Sequence, residues 1–392
     1  MALKSAGPAQ VCSRCVMDST VPEIRFGTGG VCNFCRIHNA LARDFPTGPE
    51  GETILSQQVA QMKQAGHGRK YDCVIGVSGG TDSSYLLHWA SQAGLRVLAV
   101  HIDNGWNSEL AVRNIEKITS KLNIDLVTLV LDWEEFRDLQ LAFFKSSIPW
   151  VDGSTDEALY GGLYQVAAKE GIKFILTGAN FRIEGKVPTD WTYTDARMIK
   201  AISRRFGRGR LKTFPLLPIH KYLEYGFIRG IKTVRPFYFM DFRKTDAMNL
   251  LEREYDWKYA GGHHHENFIT KFVIAYYMPV KYGIDKRKVT LSALVRSHQL
   301  SREQALRELE IPPYDTAAIE NDLRFLTEKL EITREDFNAI MQAPLKTFRD
   351  FPSYYPLVQR FRPLAELVLR RIMPFRPTTF HEMDAAEEGG AL

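Results

Sequence analysis

The chain has 392 residues, of which 45% are hydrophobic and 25% are charged, and its formal net charge is +5. This is the composition of an ordinary globular protein, and the length predicts two or three compact units rather than one core. No apolar run is long enough to cross a bilayer, and the N-terminal stretch lacks the apolar region of a secretory signal. We therefore expect no membrane span and a cytoplasmic location.

The N-terminal region, predicted to be a module of residues 1–50, contains four of the five cysteines. They form two C-x2-C pairs separated by sixteen residues: Cys12, Cys15, Cys32 and Cys35. In a reducing compartment such thiolates are more often metal ligands than disulfides, and four of them suit tetrahedral Zn²⁺. A full thiolate shell leaves no open position for water, so the spacing predicts a structural zinc site. An iron–sulfur cluster is the main alternative.

Residues 51–283 alternate between helical and apolar strand patterns. The predicted elements are a helix at 54–64, strands at 71–78, 96–103, 125–132 and 173–180, and helices at 111–122 and 157–171. Such alternation predicts an α/β domain with a mostly parallel sheet, in which ligands bind at the carboxyl ends of the strands. Residues 181–262 are less regular, and 263–279 have a helical pattern.

Residues 284–392 are predicted to be a helical C-terminal region. Two helix starts in it are marked by cap residues, Ser301 with Gln304 and Thr333 with Asp336. A basic segment at 197–212 contains no acidic residue, so it is either a solvated face or a contact for an anionic partner.

The sequence SGGTDSS lies where the first predicted strand ends and a helix begins. The glycines Gly79 and Gly80 allow backbone N–H groups to surround an anion, and the helix N-terminus adds positive potential. Hydroxyl donors come from serine side chains: Ser78, Ser83 and Ser84. The loop is not a Walker A motif because it has no lysine. We expect it to bind the pyrophosphate part of ATP with Mg²⁺, and Asp82 to orient the metal or the loop.

This loop after an apolar strand resembles the PP-loop of N-type ATP pyrophosphatases, the adenine nucleotide alpha hydrolase-like fold. Further stretches resemble one family, the N-acetyl sugar amidotransferases: CSRCVMDSTVPEIRFGTGGVCNFC, HIDNGWNSE, LTGAN, GGHHHENFITKF and SREQALRELEIPPY. The resemblance runs from about residue 11 to residue 315. It implies the synthetase subunit of an enzyme that converts an acetamido group on an N-acetylated sugar, expected to be UDP-linked, into an acetamidino group, for surface polysaccharide, O-antigen or nonulosonic-acid biosynthesis.

The resemblance also implies partners similar to the glutaminase and cyclase subunits of imidazole glycerol phosphate synthase. The residues themselves show only that no glutaminase nucleophile is recognisable, so ammonia is expected from another protein. Sulfur transfer is disfavoured because Cys73, inside a strand, is the one cysteine outside the two pairs. We expect neither a membrane nor a nucleic acid as a partner.

Candidate site residues lie at the strand ends and in the histidine-rich stretch. Asp103 and Asn104 follow the second strand, and Gly178 and Asn180 follow the fourth, where they can reach nucleotide or metal. On the helix predicted over 263–279, His264 and Lys271 share a face, with His265 and Glu266 in neighbouring directions. The four are predicted to be catalytic: a histidine to deprotonate ammonium or bind phosphate, and Lys271 to stabilise charge. Glu184 and Gly185 are weaker candidates.

Two other functions fit parts of the sequence. A tRNA-modifying PP-loop enzyme would use both the cysteine module and the basic segment for RNA. A scaffold protein with a degenerate loop is the non-enzymatic reading, and the intact SGGTDSS argues against it.

Overall fold

The computed structural model describes residues 9–209, 211–259, 261, 266–372 and 376–388. Its centre is a five-stranded parallel sheet in the order β3-β2-β1-β4-β5. The strands are β1 (Cys73–Gly76), β2 (Val97–Asp103), β3 (Asp125–Val130), β4 (Phe174–Leu176) and β5 (Lys232–Val234). In the register, Val74 of β1 pairs with Leu98 of β2 and Ile175 of β4. The predicted parallel α/β sheet is confirmed.

Helices connect the strands and form the C-terminal third. They are α1 (Asn33–Asp44), α2 (Pro49–Ala65), α3 (Thr81–Gln92), α4 (Glu109–Leu122), α5 (Trp133–Ser146), α6 (Gly153–Glu170), α7 (Thr189–Thr192), α8 (Ala196–Phe206), α9 (Ile219–Leu223), α10 (Lys244–Tyr255), α11 (Phe268–Phe272), α12 (Arg287–Arg296), α13 (Arg302–Glu310), α14 (Ile319–Leu330), α15 (Arg334–Gln342), α16 (Tyr355–Arg360), α17 (Arg362–Ile372) and α18 (Thr378–Glu388). Short 3₁₀ turns are at Thr28–Gly30, Pro236–Tyr238 and Phe348–Asp350, and π-helical turns at Glu224–Ile228 and Val273–Tyr282. Within the described residues, no helix is long and apolar enough to cross a membrane.

The sheet has a separate apolar core on each face because successive strand side chains point to opposite sides. On β1, Cys73 and Ile75 join the core that contains α3, α4 and α10, whereas Val74 joins the core that contains α5 and α6. Both sets are fully buried. Each large aliphatic side chain buried in this way contributes about 1.5–3 kcal/mol relative to exposure. The two helical layers therefore hold the strand ends, and the loops that follow them, in fixed positions.

The stretch 263–279 differs from its predicted single helix. Glu266 lies in a turn, and α11 begins only at Phe268 because the Asn267 side chain caps it by accepting the N–H of Thr270. The chain before the cap pairs with residues after β2: Ser108 donates to the Glu266 carbonyl, and Phe268 donates to the Trp106 carbonyl, each at 2.9 Å. These tertiary hydrogen bonds compete with helix formation. The prediction of one continuous helix is therefore wrong over the described residues, because Glu266 precedes the helix that contains Lys271. The face predicted to be shared by His264 and Lys271 stays a prediction, since His264 lies outside the described residues.

The irregular region 181–262 contains the fifth strand and α10, which the sequence pattern did not indicate. The basic segment begins on α8, capped by Asp195, with Arg204, Arg205 and Arg208 exposed. Arg210 of this segment lies outside the described residues. In the C-terminal region, both Ser301 and Thr333 form complete capping boxes, as expected from their spacing.

The cysteine module packs against the C-terminal region. The N–H of Val16 donates to the Ser292 hydroxyl at 3.2 Å, and Lys288 pairs with Asp18 at 2.6 Å. Arg302 donates to the carbonyls of Cys15 and Cys12 at 3.1 and 2.9 Å. Thus α12 and α13 attach the cysteine module to the C-terminal region.

Candidate active site

A cleft of about 580 Å³ opens at the carboxyl ends of the strands. One wall is the SGGTDSS loop between β1 and α3, and the neighbouring walls come from the ends of β2 and β4. The cleft is also lined by the start of α6, by the segment 266–270 and by residues around the start of α12. The cleft is therefore lined by residues from Gly76 to Thr290, which come from the sheet domain and from the start of the C-terminal region.

Gly79 has a backbone conformation that only glycine adopts at this place. Its φ is +79°, and a Cβ atom would lie 2.2 Å from the carbonyl oxygen of Ala111. Its own carbonyl accepts hydrogen bonds from Asn114 Nδ2 at 3.2 Å and Trp257 Nε1 at 3.0 Å. Any side chain at this position would displace the loop from α4.

Backbone N–H groups at the start of α3 face the cleft. The first helical hydrogen bond runs from Ser84 N–H to the Gly80 carbonyl, so the amides of residues 81–83 lie outside the helical ladder. The Ser83 hydroxyl accepts from the Ser78 N–H at 3.2 Å, and the two hydroxyl oxygens are 3.3 Å apart. Oriented amides, hydroxyls and the helix dipole together form a binding site for an anion such as a phosphate.

The predicted loop residues do not all face the cleft. Five of them line it: Ser78, Gly79, Gly80, Asp82 and Ser83. Ser84 is buried on the inner side of α3.

The structure places two of the four strand-end candidates in the cleft. Asn104 lines it, and Gly178 lies against Asp82, where a Cβ would be 3.3 Å from the Asp82 backbone. Asp103 instead accepts the N–H of Gly105 at 2.9 Å, and Asn180 accepts the N–H of Arg182 at 3.0 Å. Asp103 and Asn180 therefore shape the turns after their strands, and neither lines the cleft.

Glu266 is brought beside the loop by the pairing described above. Its Oε1 lies 3.0 Å from the position that a Cβ of Gly80 would occupy. The next residue, Asn267, donates to the side-chain oxygens of Asn104 and Asn107, each at 3.2 Å. This amide network holds Asn267, and with it the backbone of Glu266, against the residues that follow β2.

Lys271 and the two histidines have other placements. The ammonium of Lys271 pairs with Asp322 on α14 at 2.9 Å, and the residue does not line the cleft. His264 and His265 lie outside the described residues, so their predicted roles stay predictions.

The part of the cleft around the start of α6 contains residues that no sequence motif indicated. The Lys286 ammonium lies 4.2 Å from the centre of the Trp150 ring, and Trp150 donates its indole N–H to Asp156 at 2.8 Å. Asp152 accepts the hydroxyl of Thr270 at 2.6 Å. Glu184, the weaker candidate, also lines this part of the cleft. Burial lowers the pKa of Lys286, and nearby carboxylates, first that of Asp156, oppose this shift.

The four paired cysteines form a compact buried cluster. The Sγ separations are 3.9 Å for Cys12–Cys35, 3.7 Å for Cys15–Cys32 and 3.7 Å for Cys32–Cys35. Sulfurs bound tetrahedrally to one Zn²⁺ stand about 3.8 Å apart, given Zn–S bonds of about 2.3 Å. The cluster therefore fits one zinc ion, and its sulfurs are closer together than a multi-iron cluster with bridging sulfides requires. Arg296 of α12 donates to Cys15 Sγ at 3.2 Å and Cys35 Sγ at 3.3 Å.

Two family models match separate parts of the chain. Residues 72–157, which include the loop, match the Queuosine biosynthesis protein QueC model. Residues 266–364 match the model described as LPS biosynthesis protein WbpG-like, C-terminal domain. The search of curated proteins gave no match.

Solved structures with some similarity include the NMN synthetase from Francisella tularensis, at 19% identity and a TM-score of 0.27. That match covers 51% of this chain and 83% of the other. An NH3-dependent NAD synthetase from Campylobacter jejuni subsp. jejuni NCTC 11168, in complex with the nitrate ion, matches at 14% identity and a TM-score of 0.31. It covers 76% of this chain and 98% of the other. The parallel sheet and the helical C-terminal region confirm the predicted α/β architecture, and the four-cysteine cluster fits the predicted zinc site.

Proposed function

We propose that this protein is the ATP-dependent synthetase subunit of an amidotransferase that acts on an N-acetylated sugar. The observation that carries the proposal is the meeting of the two matched segments at one site. The loop lies in the QueC-like segment, and Glu266, beside that loop, is the first residue of the segment that matches a WbpG-like LPS biosynthesis protein. A phosphate-binding loop completed by such a segment supports nucleotide chemistry on a surface-polysaccharide precursor.

The reaction begins by activating an amide. The acetamido oxygen attacks the α-phosphorus of ATP, pyrophosphate leaves, and the amide becomes an adenylated imidate. The amides of residues 81–83 and the hydroxyls of Ser78 and Ser83 hold the departing pyrophosphate, which needs no lysine in the loop. Mg²⁺ would neutralise the phosphate charge, and Asp82, which lines the cleft, would orient it.

Ammonia then replaces AMP. It attacks the imidate carbon, the C–O bond to AMP breaks, and loss of a proton leaves an amidine. The carboxylate of Glu266 is a proton acceptor at the edge of the loop, and Asn104 and Asn267 fix its backbone. Asn104 and Gly178 follow the two strands that flank β1, and they bound the space for the reacting groups.

We further propose that a separate glutaminase supplies the ammonia, with a cyclase-like subunit as a second partner. The supporting observation is the absence of a recognisable glutaminase nucleophile from the sequence. With the purified chain alone, ammonium should therefore support the reaction and glutamine should not.

The test is incubation with ATP, Mg²⁺, ammonium and UDP-linked diacetamido sugars, read by mass spectrometry. The expected product is lighter than the substrate by the difference between O and NH, and AMP and pyrophosphate appear in equal amounts. ADP and phosphate in their place would refute the assignment. A loop variant, Ser83→Ala, serves as the matched control because it removes a hydroxyl of the anion site.

A second candidate, a PP-loop enzyme that modifies tRNA, is favoured by the match to the Queuosine biosynthesis protein QueC over residues 72–157. It requires tRNA binding that weakens steeply with salt. Retention of tRNA by the purified chain, combined with no change in any sugar, would favour this candidate over the first.

A further inference from the structure

Two lysines that the sequence motifs do not include line the cleft. Lys244 is the first residue of α10, and Lys286 immediately precedes α12. Within the part of the chain that the structure describes, neither ammonium has a hydrogen bond or an ion pair. Lys271, which the sequence suggested for this purpose, is already paired with Asp322.

The two lysines have different neighbours in the cleft. Lys244 is 6.0 Å from the ring of Tyr259, which packs against Trp257, and Trp257 donates to the Gly79 carbonyl of the loop. Lys286 lies over Trp150, on the wall that contains the start of α6. Lys244 is therefore linked to the loop through Tyr259 and Trp257, whereas Lys286 is linked to the start of α6 through Trp150 and Asp156.

Carboxylates near Lys286 favour its protonated form, although none of those that the structure describes lies within ion-pair distance of the ammonium. Asp156 accepts from the Trp150 indole, Asp152 from the Thr270 hydroxyl, and Glu184 from the Asn180 N–H at 3.2 Å. These neutral donors orient the carboxylates, while the Trp150 ring holds the ammonium from one face. Lys286 lines the cleft, as do residues at the N-termini of α3 and α6.

We propose that Lys244 and Lys286 supply, from outside the loop, the two cations that bind phosphoryl oxygens in this cleft. Lys244 binds the same pyrophosphate as the loop. Lys286 binds the phosphoryl group that the loop does not hold, which is either the α-phosphate of ATP or the diphosphate of a nucleotide-linked acceptor. This inference rests on the proposed function, because it takes ATP as the ligand of the loop.

The test measures binding of four probes to the full chain by calorimetry in the presence of Mg²⁺: ATP, AMP, pyrophosphate and UDP. Lys244→Met should weaken ATP and pyrophosphate about 10- to 100-fold, the effect of losing a hydrogen bond to a charged group, and leave AMP unchanged. Lys286→Met should leave pyrophosphate unchanged. It should weaken ATP and AMP if the lysine holds the α-phosphate, or UDP if it holds the acceptor.

Controls separate charge from folding. Lys244→Arg and Lys286→Arg should retain most of the affinity, and Lys200→Met removes an exposed lysine of α8 without effect. Thermal unfolding establishes that each variant is folded. Wild-type affinity of Lys286→Met for ATP, AMP and UDP, or of Lys244→Met for pyrophosphate, would overturn the inference.

Binding requires no turnover, so the two proposals can fail separately. Lysine-dependent binding without any amidine product would contradict only the proposed function. Amidine formation that is unaffected by either methionine variant would contradict only the role of the lysines.

Discussion

Arg296 links the cysteine cluster to α12, the helix that follows Lys286, and its removal gives a sharp test of that link. The side chain is 3% exposed, and its guanidinium donates to the sulfurs of Cys15 and Cys35. A zinc ion with four thiolates has a formal charge of −2, which one arginine halves. Each hydrogen bond to a charged group contributes about 1.5–3 kcal/mol, and breaking a buried charge pair costs about 3–5 kcal/mol. We therefore expect Arg296→Met to lower the free energy of unfolding by about 3–5 kcal/mol.

The assay is equilibrium urea unfolding of the zinc-loaded chain, with metal analysis of the same samples after dialysis against a chelator. Arg307→Met, which removes an exposed arginine from α13, is the matched control and should stay within about 0.5 kcal/mol of the wild type. Because Arg296 offsets negative charge at the cluster, the Arg296→Met variant should also lose zinc to the chelator faster than the wild type does. A stability change below about 1 kcal/mol with wild-type zinc retention would show that the guanidinium does not stabilise the cluster.

Three further outcomes are expected. Gly79→Ala should abolish pyrophosphate binding in calorimetry, because a Cβ would lie 2.2 Å from the Ala111 carbonyl oxygen; near-normal binding would show that the loop tolerates another conformation. Burial raises the pKa of Glu157 to about 7. Between the lower pKa of this carboxyl in the unfolded chain and its pKa in the folded state, the folded state keeps a proton that the unfolded state has released. The stability that this proton contributes is lost as the pH rises through that range. The free energy of unfolding of Glu157→Gln, relative to that of the wild type, should therefore rise by about 1–3 kcal/mol from pH 5 to pH 8 in urea unfolding. The same difference between variant and wild type at both pH values would contradict this. Lys271→Met should cost about 1 kcal/mol or less and leave ATP affinity unchanged, since the lysine pairs with Asp322 outside the cleft; a tenfold loss of ATP affinity would return it to the active site.

Local sequence patterns were sufficient where one short segment defines a feature. The loop depends on the backbone and hydroxyls of its own glycines and serines. Each C-x2-C pair likewise lies within four residues of the chain. The ends of β2 and β4 were harder to interpret. Asn104 and Gly178 face the cleft, but Asp103 and Asn180 form turns, and the choice depends on the direction in which each strand ends.

The histidine-rich stretch shows why helical periodicity alone can mislead. The spacing of residues 263–279 fits a helix, but Asn267 caps a later start and residues 266–268 pair with the chain after β2. This pairing joins segments far apart in sequence, so no local pattern reports it. The same displacement brings Glu266 to the loop and directs Lys271 towards α14.

The amino-acid sequence by itself determined the alternating α/β order, the glycine- and serine-rich turn after β1 and the two cysteine pairs, because each is defined by residues close together in the chain. Only the tertiary structure decided which charged groups reach the cleft. Lys244 and Lys286 come from segments far from the loop, and α12 connects the second of them to Arg296 and the cysteine cluster. Those positions follow from the packing of distant helices against the sheet, which is a property of the whole fold.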